Sequence, residues 1–176
     1  MNILAIDTSS VYLSLAVTDG DRVLAKFHRK AEQSHSSLLV PMIEKILRKA
    51  KLELRDIDGF CVSIGPGSFT GLRIGVTTIK GLAYALNKPI VTVPTLDAIA
   101  RNVSNFHGII CPVLDARKGK VYACLYISDG KKIKRISKYL LLPSADLMKK
   151  IRKRKVLFLG DGVNDTTTVN YANDWH

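Results

Sequence analysis

The sequence predicts an α/β protein with two lobes that repeat one order of strands and helices. Three observations predict it: the chain has 176 residues, 47% of them are hydrophobic, and short apolar runs alternate with segments of helical periodicity. This length suits one domain or two small lobes. The apolar fraction excludes a disordered tail, and no apolar run reaches the roughly 18 residues that span a membrane.

Residues 1–108 predict three strands joined by short turns, followed by alternating helices and strands. A first helix is expected from Ser36 to Ala50, with serines as caps and Pro41 close to its start. A second, from Thr70 to Leu86, carries two adjacent stripes of apolar or small residues and must bury both. A third covers 96–102, and the predicted strands are 2–6, 11–17, 22–29, 59–64 and 89–93.

Residues 109–176 predict the same beginning again. Strands are expected at 109–114, 120–128 and 131–142, then a helix at 144–151 and a strand at 156–159. Duplication of this order is the layout of the two-lobed actin-like fold, which sugar kinases and Hsp70 share. The predicted lobes are therefore 1–108 and 109–176.

The charge is strongly positive, +12 in total, and the larger share follows residue 108. Basic residues concentrate in 131–138 and in 149–155, where six of the seven residues are Lys or Arg. Such a field favours polyanions, nucleic acid above all. The alternative is a solvated lysine-rich surface, because no aromatic residues are interleaved to stack on bases.

The cysteine pattern excludes a zinc ribbon and a disulfide scaffold. Cys61, Cys111 and Cys124 are odd in number and far apart, without a C-x-x-C pair. The apolar start of the chain is interrupted by Asp7, so no secretory signal is expected. Together these features predict a protein of a reducing compartment, most simply the cytoplasm.

Two turns are candidates for chemistry. Asp7, Thr8 and Ser9 follow the first strand, where hydroxyls and N–H groups hold a phosphate or close an Asx turn. Asp161 lies in a later strand-to-helix turn with the same two interpretations. The loop 65–73 is glycine-rich without being a Walker A loop, so its glycines serve close helix packing or an anion at the helix start.

The sequence predicts no metal site, no cofactor and no catalytic residue. The four histidines are not paired at helical spacing, so two of them cannot form a helical metal site. On the second helix, Gly71 and Gly75 stand four residues apart and allow close approach of another helix. That helix belongs either to the same chain or to a partner.

Four segments together resemble one known family, TsaB (also called YeaZ). They are I-L-A-I-D-T-S-S at 3–10, H-S-S-L-L-V-P at 35–41, S-I-G-P-G-S-F-T-G-L-R-I-G at 63–75 and L-D-A-R-K-G-K-V-Y at 114–122. The resemblance covers residues 1 to about 125. It implies a two-lobed actin-like fold, here with a shortened second lobe.

The resemblance also implies a function. TsaB-like proteins take part in forming N6-threonylcarbamoyladenosine beside the anticodon of tRNAs that read codons beginning with adenine. TsaD is the transferase of that system and binds its metal through H-x-x-x-H, but Leu39 stands four residues after His35 here. The resemblance therefore implies a non-catalytic cytoplasmic subunit without a membrane segment. Its partners would be a TsaD-like catalytic subunit, a TsaE-like ATPase and tRNA within the complex, with a homodimer when alone.

The family dimerises through the two helices of the first lobe. Carried onto this chain, the predicted interface residues are Leu38, Pro41, Met42, Gly71, Arg73, Gly75, Thr78 and Leu82. The alternative function is a glycoprotease-like peptidase, which needs an activated nucleophile or a metal-bound water. A third, a nucleotide phosphohydrolase, would rely on Asp7 and Asp161.

Overall fold

The computed structural model describes residues 1–31, 34–151, 155–162 and 168–170, the last three by their backbone alone. The chain forms two compact units, Met1–Thr95 and Leu96–His176. This division falls before the predicted boundary at 108, because Leu96 and Ala100 pack with Ile110 and Leu114 of the second unit. The third helix therefore adds its apolar face to the second core.

A five-stranded sheet in the order β3-β2-β1-β4-β5 forms the frame of the first unit. The strands are β1 (Asn2–Asp7), β2 (Tyr12–Asp19), β3 (Arg22–Lys30), β4 (Gly59–Ser63) and β5 (Ile90–Val93). The first three are antiparallel, whereas β4 runs parallel to both β1 and β5. The predicted meander and the strands that follow it are confirmed.

Two helices pack against this sheet, α1 (His35–Ala50) and α2 (Phe69–Leu86). Their buried residues share one hydrophobic core with β1, β2 and β4, including Leu4, Leu13 and Phe60. A 3₁₀ turn at Leu54–Asp56 follows α1. Pro41 is the seventh residue of α1 and lies inside the helix rather than close to its start.

The buried line of α2 differs from both predicted stripes, of which one is Leu72, Val76, Ile79, Ala83 and Leu86 and the other is Gly71, Gly75, Thr78, Leu82 and Ala85. It consists of Gly71, Gly75, Ile79 and Ala83, two residues from each stripe. The remaining members of the two stripes are half-buried or exposed, among them Leu82. The two glycines pack closely against Thr8, and this contact directs the line that contains them toward the core.

The second unit repeats the arrangement of the first. It contains α3 (Thr95–Ala100) from the junction, α4 (Ser144–Lys150), and strands β6 (His107–Asp115), β7 (Lys120–Ala123), β8 (Tyr126–Asp129), β9 (Ile133–Arg135), β10 (Leu140–Pro143), β11 (Lys155–Leu159) and β12 (Thr168–Asn170). Strand β6 pairs antiparallel with β7 and β8 and parallel with β11. These are the relations that β1 has with β2 and β4, and the actin-like fold class is confirmed.

Two strands predicted as continuous are each broken in two. The segment 120–128 forms β7 and β8, and the segment 131–142 forms β9 and β10. At the break, the Ser137 hydroxyl accepts the Leu125 N–H at 2.9 Å, and the Ile136 N–H donates to the Leu125 carbonyl at 2.8 Å. A side chain thus replaces one bond of the ladder.

Among the described residues, no helix is long and apolar enough to cross a membrane.

Candidate functional site

The turn after β1 is closed by its own aspartate. The Asp7 carboxylate accepts the Ser9 N–H at 2.7 Å and the Ser63 hydroxyl at 2.8 Å. The first bond makes an Asx turn, and the second fastens that turn to the end of β4. One carboxylate oxygen of Asp7 is therefore occupied inside the first unit.

The two hydroxyl residues of this turn are enclosed. Thr8 is 0% exposed and Ser9 is 3% exposed. The Thr8 hydroxyl donates to the Gly71 carbonyl at 2.7 Å, and the Ser9 carbonyl accepts the Ser68 N–H at 2.6 Å. The Thr8 hydroxyl is therefore not free to hold a phosphate, whereas a phosphate contact of Ser9 stays a prediction.

The glycine-rich loop and the start of α2 lie directly on this turn. A Cβ atom at Gly67 would come within 3.0 Å of the Ser9 carbonyl, and one at Gly71 within 3.0 Å of the Thr8 carbonyl. A Cβ atom at Gly75 would overlap the Thr8 hydroxyl in the same way. Real Cβ atoms are not found so close, so only glycine fits at these three positions.

This contact decides between the two interpretations of the helix glycines. Gly71 and Gly75 are buried within the first unit, so the prediction that they belong to a partner interface is wrong. Their small size serves the approach of α2 to the β1 turn. The Ser68 hydroxyl caps the same helix start by accepting the Gly71 N–H at 3.2 Å.

The other six predicted interface residues keep accessible surface. Pro41 and Arg73 are exposed, and the rest are half-buried: Leu38, Met42, Thr78 and Leu82. Leu38, Met42 and Leu82 rest on the core of the first unit. Protein atoms cover these three side chains only in part.

Two exposed aromatic residues on α2 were absent from the predicted interface. Phe69 is 72% exposed and Tyr84 is 91% exposed. The Arg73 guanidinium lies over the Phe69 ring at 4.9 Å, a cation–π contact. Helical periodicity places Phe69, Arg73 and Tyr84 on one side of α2, so their spacing was the signal available in the sequence.

Asp161 has a structural role in the second unit. Its carboxylate accepts the Asp115 N–H at 3.1 Å, while the Gly162 N–H donates to the Val113 carbonyl at 3.0 Å. These bonds hold the end of β11 against the end of β6. Val163 and Asn164, which complete the predicted turn G-D-G-V-N at 160–164, lie outside the described residues.

The second unit contains a polar cluster that the sequence did not indicate. The Asp97 carboxylate accepts the hydroxyls of Tyr126 and of Tyr139, the latter at 2.9 Å. Burial raises the pKa of Tyr126, and the bond to Asp97 raises it further. Tyr126 therefore stays protonated, and the cluster fastens α3 to β8 and to the segment before β10.

The thiols are poorly placed for nucleophilic chemistry. Cys111 and Cys124 are buried, and Cys61 is half-buried. Burial raises the pKa of Cys61 and raises the pKa of Cys111 to about 12, which disfavours the reactive thiolate. In the described ranges, no three His, Cys, Asp or Glu side chains come together as a metal-binding group.

Comparison with known proteins places the chain in a family. Residues 27–169 match the family model TsaD, described as tRNA N6-adenosine threonylcarbamoyltransferase. The chain is 37% identical over 162 residues to the tRNA threonylcarbamoyladenosine biosynthesis protein TsaB of Bacillus subtilis, covering 91% of this chain and 71% of that protein. With TsaB of Escherichia coli it shares 36% identity, over 73% of this chain and 56% of that protein.

A solved structure agrees with these relatives. YeaZ from Pseudomonas aeruginosa superposes with a TM-score of 0.73 at 28% identity, covering 81% of this chain and 67% of that one. The family resemblance seen in the four sequence segments is confirmed. The chain belongs to the TsaB family of tRNA threonylcarbamoyladenosine biosynthesis proteins.

Proposed function

We propose that the chain is a non-catalytic subunit required for threonylcarbamoyl transfer to the adenosine beside the tRNA anticodon. It acts by binding a TsaD-like catalytic subunit, which a TsaE-like ATPase joins, in the cytoplasm. Membership of the TsaB family supports this role, since its relatives carry the name of the biosynthesis of this nucleoside. Without its partner, the same surface would form a homodimer.

The surface of α1 and α2 is the observation that carries the proposal. Pro41 of α1 and Arg73 of α2 are exposed, and Tyr84 projects fully into solvent. A two-helix face of this kind packs well against a second two-helix face. Exposed aromatic residues also supply much of the binding energy at protein interfaces.

The polar groups of the chain support the proposal that it does not catalyse the transfer alone. The Thr8 hydroxyl is already bonded to the Gly71 carbonyl, and the raised thiol pKa values disfavour a cysteine nucleophile. A peptidase needs an activated nucleophile, and these groups do not provide one. The accessory role is therefore favoured over the peptidase alternative.

We also propose that the basic run 149–155 contacts tRNA only within the complex. Lys149 already pairs with Asp146 at 3.0 Å, while 152–154 lie outside the described residues. Charge reversal across 149–155 should then weaken tRNA binding by the complex and flatten its salt dependence. If charge reversal leaves tRNA binding unchanged at both low and high salt, these lysines are merely solvated.

Co-expression with the TsaD-like protein of the same organism tests the proposed function. The complex should have the mass of a heteromer, and transfer to tRNA should require this chain. Tyr84→Asp should weaken the complex about tenfold or more, because a central aromatic contact is lost. Ile127→Asp is the matched control, since Ile127 is an exposed apolar residue of the second unit. Full transfer without this chain would contradict the proposal.

A further inference from the structure

A groove of about 630 Å³ lies between β3 and α1 in the first unit. Met42 and Ile46 of α1 contribute apolar surface to it. Four cationic side chains line it, two from each element: Lys26, Arg29, Lys45 and Lys49. No acidic side chain of the described residues is among those that line it.

Within the part of the chain that the structure describes, no ion pair compensates the positive charge of this groove. All four cationic residues are exposed, and none of them takes part in an ion pair among the described residues. The neighbouring Glu44 pairs instead with Arg48, at 3.7 Å. Clefts lined by one sign of charge attract ligands of the opposite sign.

The spacing of the charges suits a chain of phosphates. Lys45 and Lys49 lie one turn apart on the same side of α1, about 6 Å along its axis, and Arg29 faces the groove from β3. An extended peptide added to β3 is less favoured. Although β3 is an edge strand, it carries exposed Lys26 and Lys30, and lysines on an edge oppose strand addition.

We infer that this groove binds the sugar–phosphate backbone of RNA. The inference rests on the proposed function, which makes tRNA the substrate of the complex. It assigns an RNA contact to the first unit, separate from the basic run of the second unit. Arg29, Lys45 and Lys49 each contact a phosphate, and Lys26 extends the positive surface along β3.

The test compares two triple variants of the full chain with equal net charge. The groove variant is Arg29→Gln, Lys45→Gln and Lys49→Gln. The control variant, Arg22→Gln, Arg48→Gln and Arg55→Gln, also changes β3 and α1 but leaves every residue that lines the groove. Thermal unfolding confirms that both variants are folded. Binding of an unmodified tRNA transcript that reads a codon beginning with adenine is measured from 50 to 200 mM salt.

The wild-type chain should lose more affinity over this salt range than the groove variant does. Three lost phosphate contacts at a slope of about 0.7–0.9 each make the difference about 20- to 40-fold. The control variant should keep the steeper wild-type dependence. An equal salt dependence of tRNA affinity in the two variants would overturn the inference. So would the absence of tRNA binding by the wild-type chain at 50 mM salt.

Two further measurements separate this inference from its alternatives. Poly-glutamate binding that only the groove variant loses, with tRNA binding unchanged, would assign the groove to an acidic protein and overturn the RNA inference. Transfer activity of the complex is measured in parallel. If the wild-type chain supports no transfer, the proposed function fails. If it supports transfer while the groove variant binds tRNA like the control, only the groove assignment fails.

Discussion

Replacing the glycines of α2 one at a time with alanine tests whether close packing against the turn after β1 is the reason that α2 needs glycine there. Gly71 faces the backbone carbonyl of Thr8, Gly75 faces its hydroxyl, and Gly81 on the same helix has no atom within 4 Å of an added Cβ. The added methyl group therefore meets a backbone carbonyl at Gly71 and open space at Gly81. At Gly75 it meets a side-chain hydroxyl, which a substitution of Thr8 can remove. The three variants differ only in what lies opposite.

The expected free energies of unfolding follow from these contacts. Alanine is favoured over glycine in a helix by about 1 kcal/mol, so Gly81→Ala should raise Tm by about 2–4 °C. At Gly71 the same gain is offset by overpacking, about 1–3 kcal/mol. Displacing the turn also strains the buried Thr8 hydrogen bond to the Gly71 carbonyl, which costs about 1–3 kcal/mol. Gly71→Ala and Gly75→Ala should each be destabilised by a net amount of about 1–5 kcal/mol.

A second substitution distinguishes the two obstacles. Thr8→Ala removes the hydroxyl opposite Gly75 but leaves the carbonyl opposite Gly71. In that background Gly75→Ala should cost at least 1 kcal/mol less than in the wild-type chain, a coupling typical of residues in contact. Gly71→Ala should lose only the part of its cost that comes from the Thr8 hydrogen bond, and it should stay destabilised by overpacking against the Thr8 carbonyl. Urea and thermal unfolding followed by circular dichroism compare all six variants with the wild type, and a Gly71→Ala protein as stable as Gly81→Ala would refute the reasoning.

Three further outcomes are expected. ATP should bind the isolated chain weakly or not at all in calorimetry, because Thr8 and Ser9 are buried; micromolar affinity would contradict this. Iodoacetamide at pH 8 should alkylate Cys111 roughly a thousandfold more slowly in the folded protein than in urea, since its pKa is raised to about 12. The N–H groups of Lys132 and Lys131 lower the pKa of Asp129, so its stabilisation is present above the unfolded value near 4 and is lost as pH falls through the lower folded value. Asp129→Asn should therefore be less stable than wild type at pH 7, and the difference should shrink in acid; a constant difference would contradict this.

Much of the fold could be predicted from local patterns, because strand order and helix periodicity are local signals. The three-strand start, α1 and α2 were predicted close to their observed ends. The interruption between β7 and β8 at Leu125 could not be predicted, because it depends on the Ser137 hydroxyl, twelve residues away. The place of α3 likewise depends on Leu96 finding Ile110 in the second core.

The candidate site shows the same distinction. Periodicity correctly indicated that Gly71 and Gly75 permit close approach, but a stripe of small residues does not identify the group that approaches. The resemblance favoured a partner helix, whereas the structure places Thr8 there. The groove cations were also hidden, since Arg29 and Lys45 come together only when β3 becomes the edge of the sheet beside α1.

The two sides of α2 therefore have different roles. Its glycine line fixes the helix on the β1 turn, and that contact uses the Thr8 hydroxyl within the unit. A phosphate ligand there would have to break this bond, whereas a partner on the opposite side would meet Tyr84 already exposed. The segment that best marks the family thus builds the first unit internally. In doing so it sets the direction of the aromatic face that we propose for the partner.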